Sequence, residues 1–134
     1  MIPWTNNILL TNLKVKIQPS KNYQFHIESD TIGGLCDKLE AMHQVIYKIL
    51  NTERYEYIIY SWNYGIELHD LYGEPITYVC SEVQRRITEA LIQDDRINSV
   101  DNFEFDLTER KTVKVTFIVH TIFGDVQTEK AVNF

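Results

Sequence analysis

Residues 103–132 read FEFDLTERKTVKVTFIVHTIFGDVQTEKAV, and their alternation decides the fold. Phe103, Phe105 and Leu107 fall on one side of an extended chain, with Glu104 and Asp106 on the other. A Thr-Glu-Arg-Lys turn follows, after which Val113, Val115, Phe117 and Val119 alternate with Lys114, Thr116, Ile118 and His120. A period of two with one apolar side predicts strands with one buried face. Gly124-Asp125 predicts the next turn, because glycine in first place suits a two-residue type II′ hairpin. Val126 to Val132 then returns, completing a three-stranded antiparallel meander.

Moving toward the N-terminus, the period changes from two to between three and four. Val79, Cys80, Val83, Ile87, Ala90 and Leu91 form a helical stripe to about Ile92, with Glu82, Arg85, Arg86 and Glu89 opposite. Pro75 suits the start of that helix, where its missing N–H would be unpaired anyway, and Glu82 and Arg86 are spaced for an i,i+4 pair. Gln93-Asp94-Asp95-Arg96 ends it. An earlier stripe of Leu35, Leu39, Met42, Val45, Ile46, Ile49 and Leu50 predicts a second amphipathic helix of about four turns. Its entrance is expected at Gly33-Gly34, with Asp30 or Thr31 as the cap.

Between the helices, Tyr55 to Trp62 is the most aromatic stretch. Read as a strand it has apolar bulk on both faces, so two readings compete: rings buried in the core, or a surface covered by a partner. Residues 66–72 are expected to form one or two helical turns with Leu68, Leu71 and Tyr72 inward. Upstream, Leu13, Val15 and Ile17 alternate with Lys14 and Lys16, and Tyr23, Phe25 and Ile27 alternate across the turn 18–22. This predicts a hairpin. Residues 1–12 show no period and read as an arm that packs or orders against a partner. The fold class is therefore α+β, two main helices packed on antiparallel sheet, with an N-terminal hairpin and a C-terminal meander. Residues 13–134 are expected to form a single domain.

Composition narrows function by exclusion. The 134 residues carry a net charge of −6, which opposes nucleic-acid binding. No apolar run approaches the roughly 20 residues that cross a bilayer. Cys36 and Cys80 are too few for a disulfide scaffold, and with no basic-then-apolar leader at the start, cytosolic synthesis is expected. Both cysteines are placed on apolar helix faces, as small packed hydrophobes.

No local constellation points to catalysis. His26, His43, His69 and His120 are far apart, and neither cysteine has a partner at zinc-ligand spacing. There is no phosphate-cradling glycine loop and no nucleophile elbow. Neither a cofactor nor a metal is expected. Glu67, Asp70 and Glu74 cluster around one short segment, and a glycoside hydrolase needs two carboxyls across a cleft. Yet acidic residues number 19, so clusters on solvated faces are expected at that density.

A resemblance sharpens this. Residues 47–75, YKILNTERYEYIIYSWNYGIELHDLYGEP, combine Thr52-Glu53-Arg54, Tyr64-Gly65, Leu68-His69-Asp70-Leu71 and Glu74-Pro75. In that order the chain resembles the XkdS-like proteins of PBSX-type prophages. More distantly it is similar to the phage baseplate-wedge proteins that initiate the tail sheath, a group once labelled lysozyme-like. The resemblance runs over about residues 23–134. It implies a non-enzymatic structural part of a contractile tail baseplate (the inner wedge) that binds a larger wedge protein and helps start the tail sheath. It also implies several copies per baseplate, assembly in the host cytoplasm and residence in the virion tail. The alternatives are a lysozyme-like peptidoglycan hydrolase and a tail-assembly adaptor that does not stay in the particle.

The wider family carries an acidic-Pro-Arg triplet after the second helix, implied to contact the wedge. Here it is Asp94-Asp95-Arg96, with aspartate in place of proline. Asp94 and Arg96 are thus contact candidates, against the alternative that they pair with each other and close the helix. Arg54, Tyr57, Tyr60 and Trp62 are candidates for a wedge-facing surface, since tyrosine and tryptophan dominate interface hot spots. The meander supplies the third set. A sheet edge offers unpaired backbone groups to a strand from another chain, and Val113 and Val115, or Val126 and Thr128, mark the two strands expected to provide it.

Overall fold

The computed structural model describes residues 20–134. In chain order they form β1 (Asn22–His26), β2 (Thr31–Cys36), α1 (Lys38–Leu50), α2 (Ile76–Ile92), β3 (Ile97–Asp106), β4 (Thr112–Thr121) and β5 (Gly124–Asn133), with 3-10 turns at Ile27–Ser29 between β1 and β2 and at His69–Leu71 before α2. Strands β1 and β2 pair as an antiparallel hairpin, and β3-β4-β5 form an antiparallel meander with β4 in the centre. This is the α+β class expected.

The meander owes its position to the alternation read from residues 113–119. Val113, Val115, Phe117 and Val119 are wholly buried under the helices, and Phe117 stacks on Phe103 with ring centroids 5.4 Å apart. Met42, Ile46 and Ile49 from α1 meet Val79, Val83, Ile87 and Leu91 from α2 in the same core, to which Ile66 and Leu71 add from the connecting segment. The intervening residues of β4 lie on the sheet's other face.

Four elements differ from expectation, each for a local reason. Tyr23 to His26 pairs with Leu35 to Thr31, downstream, an antiparallel partner that the alternation does not name. Residues 13–17 and the arm 1–12 lie outside the described ones. Gly33, Gly34 and Leu35 consequently belong to β2 and not to a helix entrance, and Cys36 ends that strand instead of lying on a helix. The cap of α1 is Asp37, whose carboxylate accepts from Lys38 N at 2.7 Å and from Ser20 N at 3.1 Å. An aspartate directly after the strand meets the first free helical N–H, which Asp30 and Thr31 are too far upstream to reach.

Residues 55–62 form successive turns, not a strand. Tyr55 has φ 70°, and the bonds Tyr60 N to Tyr57 O and Tyr64 N to Ser61 O fold the segment back on itself. With apolar side chains at both parities there is no single face to lay on a sheet. Tyr72, expected inward, is exposed, whereas Leu71 is fully buried.

The last hairpin turns two residues earlier than expected. Thr121 pairs with Gly124, so Ile122-Phe123 is the tip and Gly124 opens β5 at φ 134°. Thr121 decides this: its hydroxyl donates to Gly124 O at 2.6 Å and accepts from Phe123 N at 3.2 Å. Glycine here supplies the left-handed backbone after the tip rather than within it.

Candidate interaction site

Residues 52–66 leave and re-enter the core through a narrow neck. Arg54 N donates to Ile66 O at 3.1 Å and Ile66 N to Thr52 O at 3.0 Å. Gly65 makes the approach possible. It has φ 95°, and a Cβ there would lie 2.6 Å from Thr52 O. Below the neck, the Glu53 carboxylate accepts from Leu68 N at 3.0 Å and His69 N at 3.2 Å, holding the start of the 3-10 turn.

Ion pairs fasten this neck to α2. The Arg54 guanidinium donates to Trp62 O at 2.9 Å and reaches Glu89 at 3.4 Å, while lying 5.0 Å from the Tyr55 ring centre. Arg86 grips Asp70 with two parallel bonds, one of them 2.9 Å, and also binds Glu82 and the Glu67 carbonyl. The Arg86 hydrogen bonds hold the Asp70 carboxyl below its ordinary range. The expected Glu82–Arg86 pair is thus present, within a larger fork. Of the three clustered carboxylates, Asp70 is engaged in this strut.

Above the neck the surface is apolar. Ile58 and Ile59 are 102% and 85% exposed and Trp62 79%, with Tyr55 and Tyr57 also half or more exposed. Tyr60 stacks on Tyr64 at 4.4 Å and meets Tyr57 edge-on, so the rings stiffen one another. Of the competing readings of this stretch, the rings outside the core is the one observed. Tyr57 and Tyr60 meet on the tip and Trp62 lies beside Tyr55, ring centres 5.6 Å apart, whereas Arg54 is turned inward as its support. Ile58 and Ile59 escaped the residue-by-residue reading, although apolar side chains at both parities were the available signal.

Asp94 and Arg96 pair with each other. Arg96 donates to Asp94 Oδ1 at 2.9 Å and Oδ2 at 2.6 Å, and its third arm reaches Ser20 Oγ at 3.0 Å. Burial would raise the Asp94 carboxyl, but the Arg96 hydrogen bonds outweigh it and the net shift is downward. Asp95, at the family's proline position, is exposed.

The meander's edges separate the remaining candidates. Val113 and Val115 belong to the central strand, where Val115 faces Phe105 on one side and Lys130 on the other, so that strand offers no edge. Among the described residues, no strand pairs with the far side of β5. Its phase follows from one bond: Phe134 N donates to Lys111 O at 3.0 Å, which makes that opposed pair the hydrogen-bonded kind. Alternation along the antiparallel register then assigns Val126, Thr128, Lys130 and Val132 to bonds with β4. The backbone groups of Gln127, Glu129 and Ala131 face outward. These three are the edge; Val126 and Thr128 flank it.

Two grooves line up along that edge. One, of about 400 Å³, runs between Gln127–Glu129 and a wall made by β1 and α1, including Phe25, Gln44 and Tyr47. The other, of about 500 Å³, runs between Lys130–Asn133 and the underside of the 52–72 segment, including Glu53, Glu56, Tyr57 and His69. Leu50 and Asn51 border both. Across the first groove, the free side of β1 is already satisfied. Gln44 accepts from Phe25 N at 3.0 Å and donates to Tyr23 O at 2.6 Å, standing where a neighbouring strand's peptide group would.

The described residues thus form an α+β unit with a propped apolar tip and a strand edge that none of them pairs. Comparison with known sequences says which family it belongs to. The family model of contractile injection system sheath initiators matches residues 13–124, and the chain belongs to that family. It is also 38% identical over 121 residues, 87% of this chain and 85% of the relative, to the phage-like element PBSX protein XkdS of Bacillus subtilis strain 168. Its role is that of a structural protein in a contractile, phage-tail-like system.

Proposed function

We propose that this protein is an inner-wedge component of a contractile tail baseplate, joined to a larger wedge protein at one surface and starting the sheath at another. Residues 13–134 act as one domain with 1–12 as its arm. The protein is monomeric when isolated and present in several copies in the baseplate, assembled in the host cytoplasm and retained in the tail. The wedge contact is assigned to Tyr57, Tyr60 and Trp62, with Ile58 and Ile59 added, and to the Asp94–Arg96 pair. Arg54 contributes by holding the tip. The sheath contact is assigned to β5 between Val126 and Val132.

One observation carries the sheath assignment: the outward backbone of Gln127, Glu129 and Ala131 along an unpaired edge. A strand from a sheath subunit would complete the ladder, with backbone bonds giving affinity and the flanking grooves giving choice.

Proline scanning tests it. Gln127→Pro and Ala131→Pro remove donors that face outward, which an edge strand tolerates, so the monomer should fold and sheath assembly should fail. Thr128→Pro instead breaks the bond to β4 and strands the Phe117 carbonyl, costing about 1–3 kcal/mol of stability. Normal sheaths from both Gln127→Pro and Ala131→Pro would rule out strand addition at β5. A mass-spectrometric inventory of purified tails checks incorporation, since a transient adaptor would be missing from it.

A further inference from the structure

The two grooves beside β5 differ in chemistry, and the difference describes what fits there. Over Gln127–Glu129 the wall is largely apolar, with Phe25, Ile27, Tyr47 and Leu50. Over Lys130–Asn133 it is polar and carries Glu53, Glu56 and His69. Together the grooves hold four carboxylates, Glu40, Glu129, Glu53 and Glu56, against one lysine. Glu53 spends its oxygens mainly on the Leu68 and His69 amides. Glu40, Glu56 and Glu129 make no ion pair among the described residues. Lys130 donates to Asn51 Oδ1 at 2.9 Å, and burial lowers the pKa of its ammonium. Among the described residues, the strip therefore presents unpaired negative charge beside unpaired backbone.

From Gln127 to Asn133 the edge has room for about seven residues of extended chain, on the order of 23 Å at 3.3 Å per residue. Side chains on alternate positions of an added strand point to the same face. Those over the first groove meet Tyr47 and Leu50, and those over the second come within reach of Glu56. Like charges across a ladder are unfavourable and opposite ones favourable, so the strip selects by sign.

We infer that the β5 edge accepts an extended segment of another polypeptide about seven residues long, apolar at alternate positions over Gln127–Glu129 and basic over Lys130–Asn133. The inference rests on the strand-addition role proposed above and adds the chemistry of the partner strand. An acidic or uniformly polar strand would form the same backbone bonds but would place its side chains against Glu56 and Glu40 without compensation.

The probe is a fluorescein-labelled nine-residue peptide with alternating valines in one half and alternating lysines in the other. A second peptide has glutamates in place of the lysines. Titrated with the full chain and read by anisotropy, the lysine peptide should bind at least ten-fold more tightly at low salt. Glu56→Lys should narrow or invert that ratio, and raised salt should shrink it. Ala131→Pro, which removes no charge, should abolish binding of the lysine peptide while its circular dichroism and melting remain those of a folded protein.

The outcomes separate the two claims. Equal affinity for both peptides, with both lost in Ala131→Pro, keeps the edge and overturns the chemistry inferred here. Lysine-peptide binding that survives both Gln127→Pro and Ala131→Pro overturns the edge itself. No binding of the lysine peptide to the unaltered chain overturns the inference. So does concentration-dependent dimerisation abolished by Ala131→Pro, which would make a second copy of this chain the occupant.

Discussion

The β5 edge and the 55–62 tip lie at opposite extremes of how a small protein can hold a partner. Along β5 the proposed contact groups are backbone, fixed by ten residues of ladder with β4, with Val126 and Val132 buried in the core. At the tip the backbone folds upon itself and the proposed contact groups are apolar side chains, with Ile58 and Ile59 almost wholly in solvent. The edge is thus indifferent to most side-chain changes and sensitive to a lost N–H. The tip is the reverse. For the two contacts proposed, the difference has a use: they would respond to different chemistry, so neither partner would substitute readily for the other.

Both surfaces depend on one core, and the largest expected effect removes that common support. Phe117→Ala should cost about 3–5 kcal/mol, from lost burial plus a cavity beneath Phe103. Urea unfolding measures it, and a loss under 1 kcal/mol would mean that the sheet does not rest on this ring. Gly65→Val comes next and should split the pair of surfaces. A Cβ at Gly65 meets Thr52 O at 2.6 Å, and the left-handed backbone adds strain, so about 2–3 kcal/mol is expected. Amide exchange should rise through residues 52–66 and stay slow along β4. Equal loosening of both would show that the neck and the sheet are one cooperative unit.

How much of this contrast is visible in the sequence follows from the same physics. The meander and helices announce themselves because one buried face imposes a strict period, as in Val113 to Val119. Residues 55–62 lack a core face, and their alternation therefore reads as a strand that does not form. Their apolar excess at both parities marks the segment whose side chains lie outside the core. The β1–β2 pairing was hidden because alternation names a strand without naming its neighbour, and the helix cap was misplaced with it. The strand order of the meander follows from its short connections, but which of Gln127 or Thr128 faces outward depends on register, set at the turn by the Thr121 hydroxyl. A one-residue difference there exchanges the inward and outward sets.

A smaller effect on stability, but a large one on binding, is expected from Trp62→Ala. The ring is 79% exposed, so the isolated protein should change by less than about 0.5 kcal/mol. Affinity for the wedge partner should fall by about 2 kcal/mol, near thirty-fold, if the tip is a hot spot. Sheath-strand binding at β5 should not move. Calorimetry with the wedge protein decides: an unchanged affinity for Trp62→Ala together with Ile58→Asp would detach the tip from any partner.

The smallest effect lies at the far end of the meander, and it distinguishes the two regions by pH. His120 on β4 sits between Asp125 on β5 at 2.7 Å and Asp101 on β3 at 2.9 Å, joining all three strands on the open face. The hydrogen bonds that its ring donates to Asp125 and then to Asp101 raise its pKa above 6.5. A folded pKa above the unfolded one means that the protonated clamp stabilises fully below about pH 6.5, and this contribution is lost as pH rises through the folded value. At the tip's base the sign is opposite. Asp70 is depressed by Arg86, so its contribution is present above its ordinary pKa of 3.8 and is lost as pH falls through the lower folded value. Between about pH 4 and 6 both therefore hold. Raising the pH should loosen the β3–β4–β5 end first and leave the neck intact. A proton NMR titration of the His120 ring should give a midpoint above 6.5, and His120→Gln should remove the corresponding segment from the stability profile. A midpoint at or below 6.5 would mean that the two aspartates do not clamp the ring, and pH would then no longer separate the sheet end from the tip.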